Sequence, residues 1–156
     1  MEQEEARAAV ERYGPMVYRL ALAQTHSAHD ADDVFQEVFL RYVRGAPDFT
    51  EEEHRKAWLL RVTANCCKKL HGSFWNKHTV ALSEAIPAQN EGEGELLELL
   101  DALPEKYRSV LHLYYYEGYA TDEIAAILGR RAATVRSQLA RGRALLRDAW
   151  KGAEDV

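Results

Sequence analysis

The chain has 156 residues, 47% hydrophobic and 29% charged, with a formal net charge of −5. That composition is ordinary for a soluble globular protein and allows one compact domain or two small ones. No apolar run approaches the roughly 20 residues needed to cross a bilayer. The start "MEQEEARAAVERYG" lacks the basic head and apolar centre of a signal peptide, so a cytoplasmic location without membrane insertion is expected.

Helical periodicity runs through the chain and no strand signal stands out, so the fold class is all-α. Residues 3–13 are predicted as a helix, with a break at Gly14. Pro15 then opens a second helix, at a position where a missing N–H costs nothing. From about Asp30 to Arg44, Val34, Val38 and Tyr42 recur every fourth residue, with Phe35 and Phe39 one step round, giving one apolar side. Gly45 and Pro47 end that pattern. Thr50, with Glu53 three residues on, has the form of a capping box for a long helix to about residue 71. Trp58 lies on its apolar face. The only cysteines, Cys66 and Cys67, are adjacent and unsuited to bridging each other. They read as small buried residues, since their spacing from His71 and His78 fits no zinc pattern.

Residues 79–94, "TVALSEAIPAQNEGEG", hold a proline and two glycines and form the best linker candidate. Two small helical domains, 1–78 and 95–156, joined by a flexible linker over 79–94, are therefore expected. After "ELLELLDAL", Pro104 opens the helix "EKYRSVLHLYYYEG". Residues 121–128 form a short helix with Ile124, Ile127 and Leu128 inward. Gly129 suits the left-handed conformation that ends a helix. A longer helix begins at Ala132 or Ala133 and runs to about Trp150.

On that last helix Val135, Leu139, Gly142 and Leu146 must face the core. Thr134, Ser137 and Arg141 then point outward, with Arg136 and Gln138 on the flanks. A short helix, a tight turn and a second helix with a polar outer face make a helix-turn-helix that can enter the DNA major groove. Arginine and glutamine can hydrogen-bond base edges bidentately. Arg130 and Arg131, in the turn, suit phosphate contact, and Arg143 and Arg147 continue the positive face.

Charge along the chain is uneven. Residues 1–57 carry 12 acids against 7 bases, and residues 81–117 carry 8 acids against 2 bases. Residues 58–80 carry four bases (Arg61, Lys68, Lys69, Lys77) and no acid, and residues 130–147 carry six arginines and no acid. Two basic islands in an acidic chain indicate two polyanion contacts, separated by surfaces with another purpose.

The segment "LPEKYRSVLHLYYYEGYATDEIAAILGRRAATVRSQLARGRALLR" resembles the fourth conserved region of bacterial sigma factors of the extracytoplasmic-function (ECF) group. "DADDVFQEVFLRYV" and "AWLLRVTANCCKKL" resemble that group's second region. The matches cover most of residues 10–78 and 95–150, in the family's order. The resemblance implies an RNA polymerase sigma factor, a transcription initiation subunit that binds core RNA polymerase and opens promoter DNA. It implies no enzymatic chemistry of its own and no cofactor or metal. By the same resemblance Asp32, Asp33, Gln36 and Glu37 would dock on core polymerase. Asn65 would capture a flipped base of the −10 element, with Lys68 and Lys69 holding phosphates; Phe74 and Trp75 are candidates for base stacking or for capping the core. The helix-turn-helix, through Arg130, Arg131, Thr134, Arg136, Ser137, Gln138 and Arg141, would read the upstream −35 element. Leu113, Tyr114 and Tyr116 would serve as core and polymerase-contact surface. An anti-sigma factor is the expected regulatory partner.

Against the family pattern, Ala120 stands where a capping serine or threonine is frequent, and Thr121 is the substitute cap. Ala133 replaces a glycine, Gln138 an arginine, and Ala64 and Lys69 an arginine and an aspartate. Two other readings compete. One is a stand-alone helix-turn-helix transcriptional regulator; the other is a sigma-like interaction module that no longer directs transcription.

Overall fold

The computed structural model describes residues 3–71 and 99–154. The linker expected at 79–94, together with Phe74 and Trp75, lies outside the described residues. The chain divides into two units, residues 1–81 and 82–156, and all the described elements are helical.

In the first unit α1 (Gln3–Thr25), α2 (Ala28–Gly45) and α3 (Glu52–His71) each pack on the other two. The break expected at Gly14 does not occur: α1 runs on with Pro15 inside it. A proline inside a helix leaves the carbonyl four residues earlier without its donor. Here Pro15 and Glu11 are both exposed, so water can satisfy that carbonyl. Gly14 has a different task. It is buried, and a Cβ there would stand 3.3 Å from Phe35 Cε2. The glycine leaves room for the Phe35 ring of α2 against α1.

The core of this unit comprises Val17, Leu20 and Ala21 of α1, Val34, Val38 and Tyr42 of α2, and Leu59, Leu60, Ala64 and Cys67 of α3. A string of rings (Tyr18, Phe35, Phe39, Tyr42, Trp58, Phe49) crosses it with neighbouring centroids 4.9 to 6.4 Å apart. The contacts are edge-on or tilted, the favoured arrangements for aromatic quadrupoles. Between α1 and α2, His26 takes a left-handed conformation at φ 55°, and the Ser27 hydroxyl caps α2 by accepting the Asp30 N–H at 3.2 Å.

The start of α3 differs from the expected Thr50–Glu53 capping box. The Glu51 carbonyl accepts from the N–H groups of His54 and Arg55 at 3.2 and 3.4 Å, and Glu53 faces Lys56 at 4.0 Å. The helix is pinned here by Glu52, whose carboxylate accepts a hydrogen bond from the Tyr13 hydroxyl of α1 and pairs with Arg55 at 3.4 Å. A tertiary tie thus displaces the local cap by one residue.

The second unit contains α4 (Glu105–Leu111), a π-helical turn (His112–Tyr116), α5 (Thr121–Leu128) and α6 (Ala132–Glu154). The Pro104 carbonyl receives the N–H groups of Tyr107 and Arg108 at 3.0 and 3.1 Å. Instead of continuing as α-helix, the chain widens, and the Glu117 N–H reaches back to the His112 carbonyl at 3.1 Å. The wide turn buries Leu113 and Tyr119 and leaves Tyr115 and Tyr116 exposed. Val110, Leu111, Leu113, Ile124, Leu128 and Val135 form the centre of the core. α6 meets α4 at Gly142, where a Cβ would lie 3.2 Å from Leu111 Cδ1 and 3.3 Å from Tyr107 Cβ.

Two stability predictions follow from these contacts. Gly142→Val should destabilise the second unit by about 1–3 kcal/mol through overpacking. Gly142→Ala should be milder, because alanine recovers about 1 kcal/mol of helix propensity; thermal unfolding of the two variants checks the order. For Tyr13, burial first and Glu52 second push the hydroxyl from 10.0 up to about 12. The folded state therefore keeps a proton that the unfolded chain loses, so this contribution is intact below pH 10 and lost as pH rises towards about 12. Tyr13→Phe should make the alkaline decline of the unfolding midpoint shallower.

Candidate nucleic-acid interface

The helix-turn-helix is built by its two caps. At the start of α5 the Glu123 carboxylate accepts the Ala120 N–H at 2.9 Å. Thr121, the substitute cap expected from the sequence, is instead the first helical residue. An alanine methyl accepts no hydrogen bond, so only this half of a capping box operates. At the other end Gly129 adopts φ 67°, ψ 41°. Its N–H bonds the Ala125 carbonyl, which also receives the Arg130 N–H at 3.0 Å. This left-handed closure turns the chain into α6 within three residues.

α6 buries Val135, Leu139 and Gly142 and half-buries Leu146. Arg131, Thr134, Arg136, Ser137, Arg141 and Arg147 are exposed, and Gln138 is half-buried. Arg136 approaches Asp122 at 3.9 Å, but both side chains are largely exposed; such a pair is weak and does not hold the arginine back from another anion.

Arg130 and Arg143 behave differently from the rest of the basic series. The Arg130 side chain is only 18% exposed. Its Nη1 donates to Gln138 Oε1 at 2.9 Å and to the Lys106 carbonyl at 3.2 Å, and its Nη2 to Glu105 Oε1 at 3.4 Å. Glu105 also accepts from Ser109 Oγ at 2.7 Å. Arg130, expected at the phosphates from its place in the turn, is thus engaged inside the unit. The Arg143 guanidinium lies over the rings of Tyr114 and Tyr115, 5.2 and 5.5 Å from their centroids, in cation–π contact. Apart from Gln138 these partners come from α4 and the π-helical turn, and nothing local in the sequence signals them.

In the first unit α3 is two-faced. Leu59, Leu60, Thr63, Ala64, Cys66 and Cys67 are buried, and Arg61, Asn65, Lys68 and Lys69 are exposed on the other side. The buried Thr63 hydroxyl is satisfied by the Leu59 carbonyl at 2.7 Å. Burial pushes the Cys66 thiol up, which keeps it protonated and unreactive. Trp58 packs edge-on against Tyr42 and Phe49 at 6.0 and 5.9 Å.

On α2, Asp32, Gln36 and Glu37 are exposed and Asp33 is half-buried. Asp33 faces His29 at 3.7 Å, and Glu37 pairs with Arg41 at 3.0 Å. Leu40 and Val43, 46% and 44% exposed, extend the stripe of Asp32 and Gln36 at helical spacing. They were missed from sequence, although both lie off the Val34–Val38–Tyr42 face. Among the described residues no group of three His, Cys, Asp or Glu side chains could hold a metal ion. No described helix is long and apolar enough to cross a membrane.

The chain matches the family model of sigma-70 region 2 over residues 9–73 and that of sigma-70 region 4 over residues 93–146. It is 32% identical to the ECF RNA polymerase sigma factor SigE of Mycolicibacterium smegmatis, covering 89% of this chain and 59% of SigE. It is 31% identical to the probable RNA polymerase sigma factor RfaY of Xanthomonas campestris pv. campestris, spanning 37% of that protein. With the ECF RNA polymerase sigma factor SigM of Mycobacterium tuberculosis it shares 30% identity over 86% of this chain and 71% of SigM. Among solved structures, CnrH in complex with the cytosolic domain of CnrY aligns over 97% of this chain and 90% of its own, at TM-score 0.69 and 24% identity. The sigma factor RpoE, in complex with the anti-sigma factor NepR from Bartonella quintana, aligns over 95% and 98%, at TM-score 0.69 and 18% identity. These two share the fold. On the two region matches and the SigM relationship, the chain belongs to the extracytoplasmic-function family of RNA polymerase sigma factors.

Proposed function

We propose that the chain is a transcription initiation subunit that joins core RNA polymerase in the cytoplasm and directs it to specific promoters. The observation that carries this reading is that each unit holds a helix with one buried side and, opposite it, an exposed basic stretch without acids. Residues 58–80 and 130–147 contain no Asp or Glu, and Arg61, Asn65, Lys68, Lys69, Arg131 and Arg141 are exposed there. Such a face suits phosphates, and the polar residues among the cations suit bases.

The roles divide by unit. The first, over about residues 1–78, binds core polymerase and takes up the separated strand of the −10 element. The second, over about residues 95–156, reads the −35 duplex. Asn65 captures an unstacked base, and Lys68 and Lys69 hold phosphates. Thr134, Arg136, Ser137, Gln138 and Arg141 face the upstream element, with Arg131 on its backbone. The stripe of Asp32, Gln36, Leu40 and Val43, with Asp33 and Glu37 beside it, meets polymerase. Its acids repel DNA and its apolar end gives a protein surface something to cover. The polymerase makes the bonds, so the chain acts by binding alone. An anti-sigma factor is the regulatory partner we expect, by likeness to the sigma factor RpoE, solved with the anti-sigma factor NepR.

Transcript starts from a genomic fragment library, with core polymerase with and without the chain, test the reading. Chain-dependent starts sharing paired upstream motifs are expected; failure to bind core at all would sink it. Asn65→Ala should reduce open-complex formation several-fold, for roughly 1 kcal/mol of lost hydrogen bonding, and leave core binding unchanged. Promoter opening at the wild-type level would remove Asn65 from the base-capture role.

A further inference from the structure

A glutamine side chain on a recognition helix carries one acceptor and two donors, and which it presents decides the base it reads. At Gln138 that choice is fixed by chemistry. Its neighbour is the Arg130 guanidinium, with Nη1 2.9 Å from Gln138 Oε1. A guanidinium only donates, so the oxygen must face Arg130 and the amide cannot be flipped. Arg130 is itself held by the Lys106 carbonyl and by Glu105, which is anchored by Ser109. One lone pair of the Gln138 carbonyl is therefore engaged by the protein and its oxygen is drawn towards Arg130, while its NH2 group has no partner among the described residues.

An unrestrained glutamine pairs with adenine by accepting from N6 and donating to N7. Resting on the promoter-reading role proposed above for α6, we infer that Arg130 is a positioning residue that holds the Gln138 carbonyl to one side and makes its NH2 group the reading end. One base of the upstream element is then selected by its acceptor edge, guanine through N7 and O6 or thymine through O4, against adenine. Adenine offers that donor N7 alone, with its N6 amine set against the second N–H, whereas guanine offers two acceptors side by side.

The test is initiation by the full chain with core polymerase on promoters randomised in the upstream element, read by transcript sequencing. In the wild type, one position should favour guanine or thymine over adenine by at least about fivefold, the low end of a single base contact, and Gln138→Ala should abolish that preference. Arg130→Ala should admit adenine at that position, to within about twofold, and leave the others unchanged, because it frees the glutamine to pair both ways. In the Gln138→Ala background, Arg130→Ala should change nothing further there. A general loss of unit stability cannot produce a change at one position only. A wild-type preference for adenine at the Gln138-dependent position, the absence of such a position, or an unchanged preference in Arg130→Ala overturns the inference. If Arg130→Ala does not fold, Gln138→Glu decides. One carboxylate oxygen keeps Arg130 and the other offers only an acceptor, so the preference should invert towards cytosine or adenine; retained guanine overturns it. No chain-dependent starts in the wild type would defeat the promoter-directing role itself, a result distinct from starts that ignore residue 138.

Discussion

The contact on which the exposed polar face of α6 depends is its approach to α4 at Gly142. With Tyr107 Cβ and Leu111 Cδ1 about where a side chain would begin, α6 can sit that close at one rotation about its axis only. Val135 and Leu139 then fill the space towards α4, the π-helical turn and α5. Whatever points the other way is outward by default, and that set is Thr134, Ser137 and Arg141. A small residue in the core thus decides which polar residues are available outside it. The aromatic string does similar work in the first unit, fixing α3 through Trp58 so that Asn65 and its neighbouring cations stay on the surface.

Charge is sorted by helix face more than by segment. The arginines of the turn and of α6 are not one uniform positive strip. Arg131, Arg136 and Arg141 are exposed, Arg130 is tied to Glu105 and Gln138, and Arg143 lies on two tyrosine rings. Identical residue types therefore divide between holding the unit together and standing exposed on its surface. The chain's negative total also hides two stretches without acid, residues 58–80 and 130–147, since most of the acids lie in residues 30–53 and 84–105.

Much of this was legible in the sequence because helical periodicity reports burial directly. The inward series Val135, Leu139, Gly142, the left-handed Gly129 and the apolar side of α2 all follow from spacing and residue type. The misreadings share a cause, which is that local signals yield to distant partners. Gly14 looked like a break because glycine and proline together usually are one, yet Phe35 needs the space and Pro15 faces water. Thr50 looked like a cap, but Tyr13 and Arg55 hold Glu52. Arg130 looked free because Glu105 and Lys106 lie more than twenty residues away in sequence and meet it only after folding. Leu40 and Val43 were visible as off-face apolar residues, and attention to the buried side of α2 passed them over.

The π-helical turn at His112–Tyr116 has an evolutionary consequence. A π turn holds one residue more than the α-helix it interrupts, and the surplus is absorbed within the turn. Here it lets His112 and Tyr116 stack at 5.3 Å and 10°, while Leu113 and Tyr119 still reach the core. Removing one residue from this stretch would restore α-helix and leave Tyr119 and the chain into α5 close to their present orientation, whereas removing one from a regular α-helical stretch would swing everything after it by about 100°. Length variation among relatives is therefore physically cheap inside this helix, where gaps are ordinarily least expected, provided the turn changes type with it. An alignment that forces the gap into the loop after Glu117 would pair the wrong tyrosines.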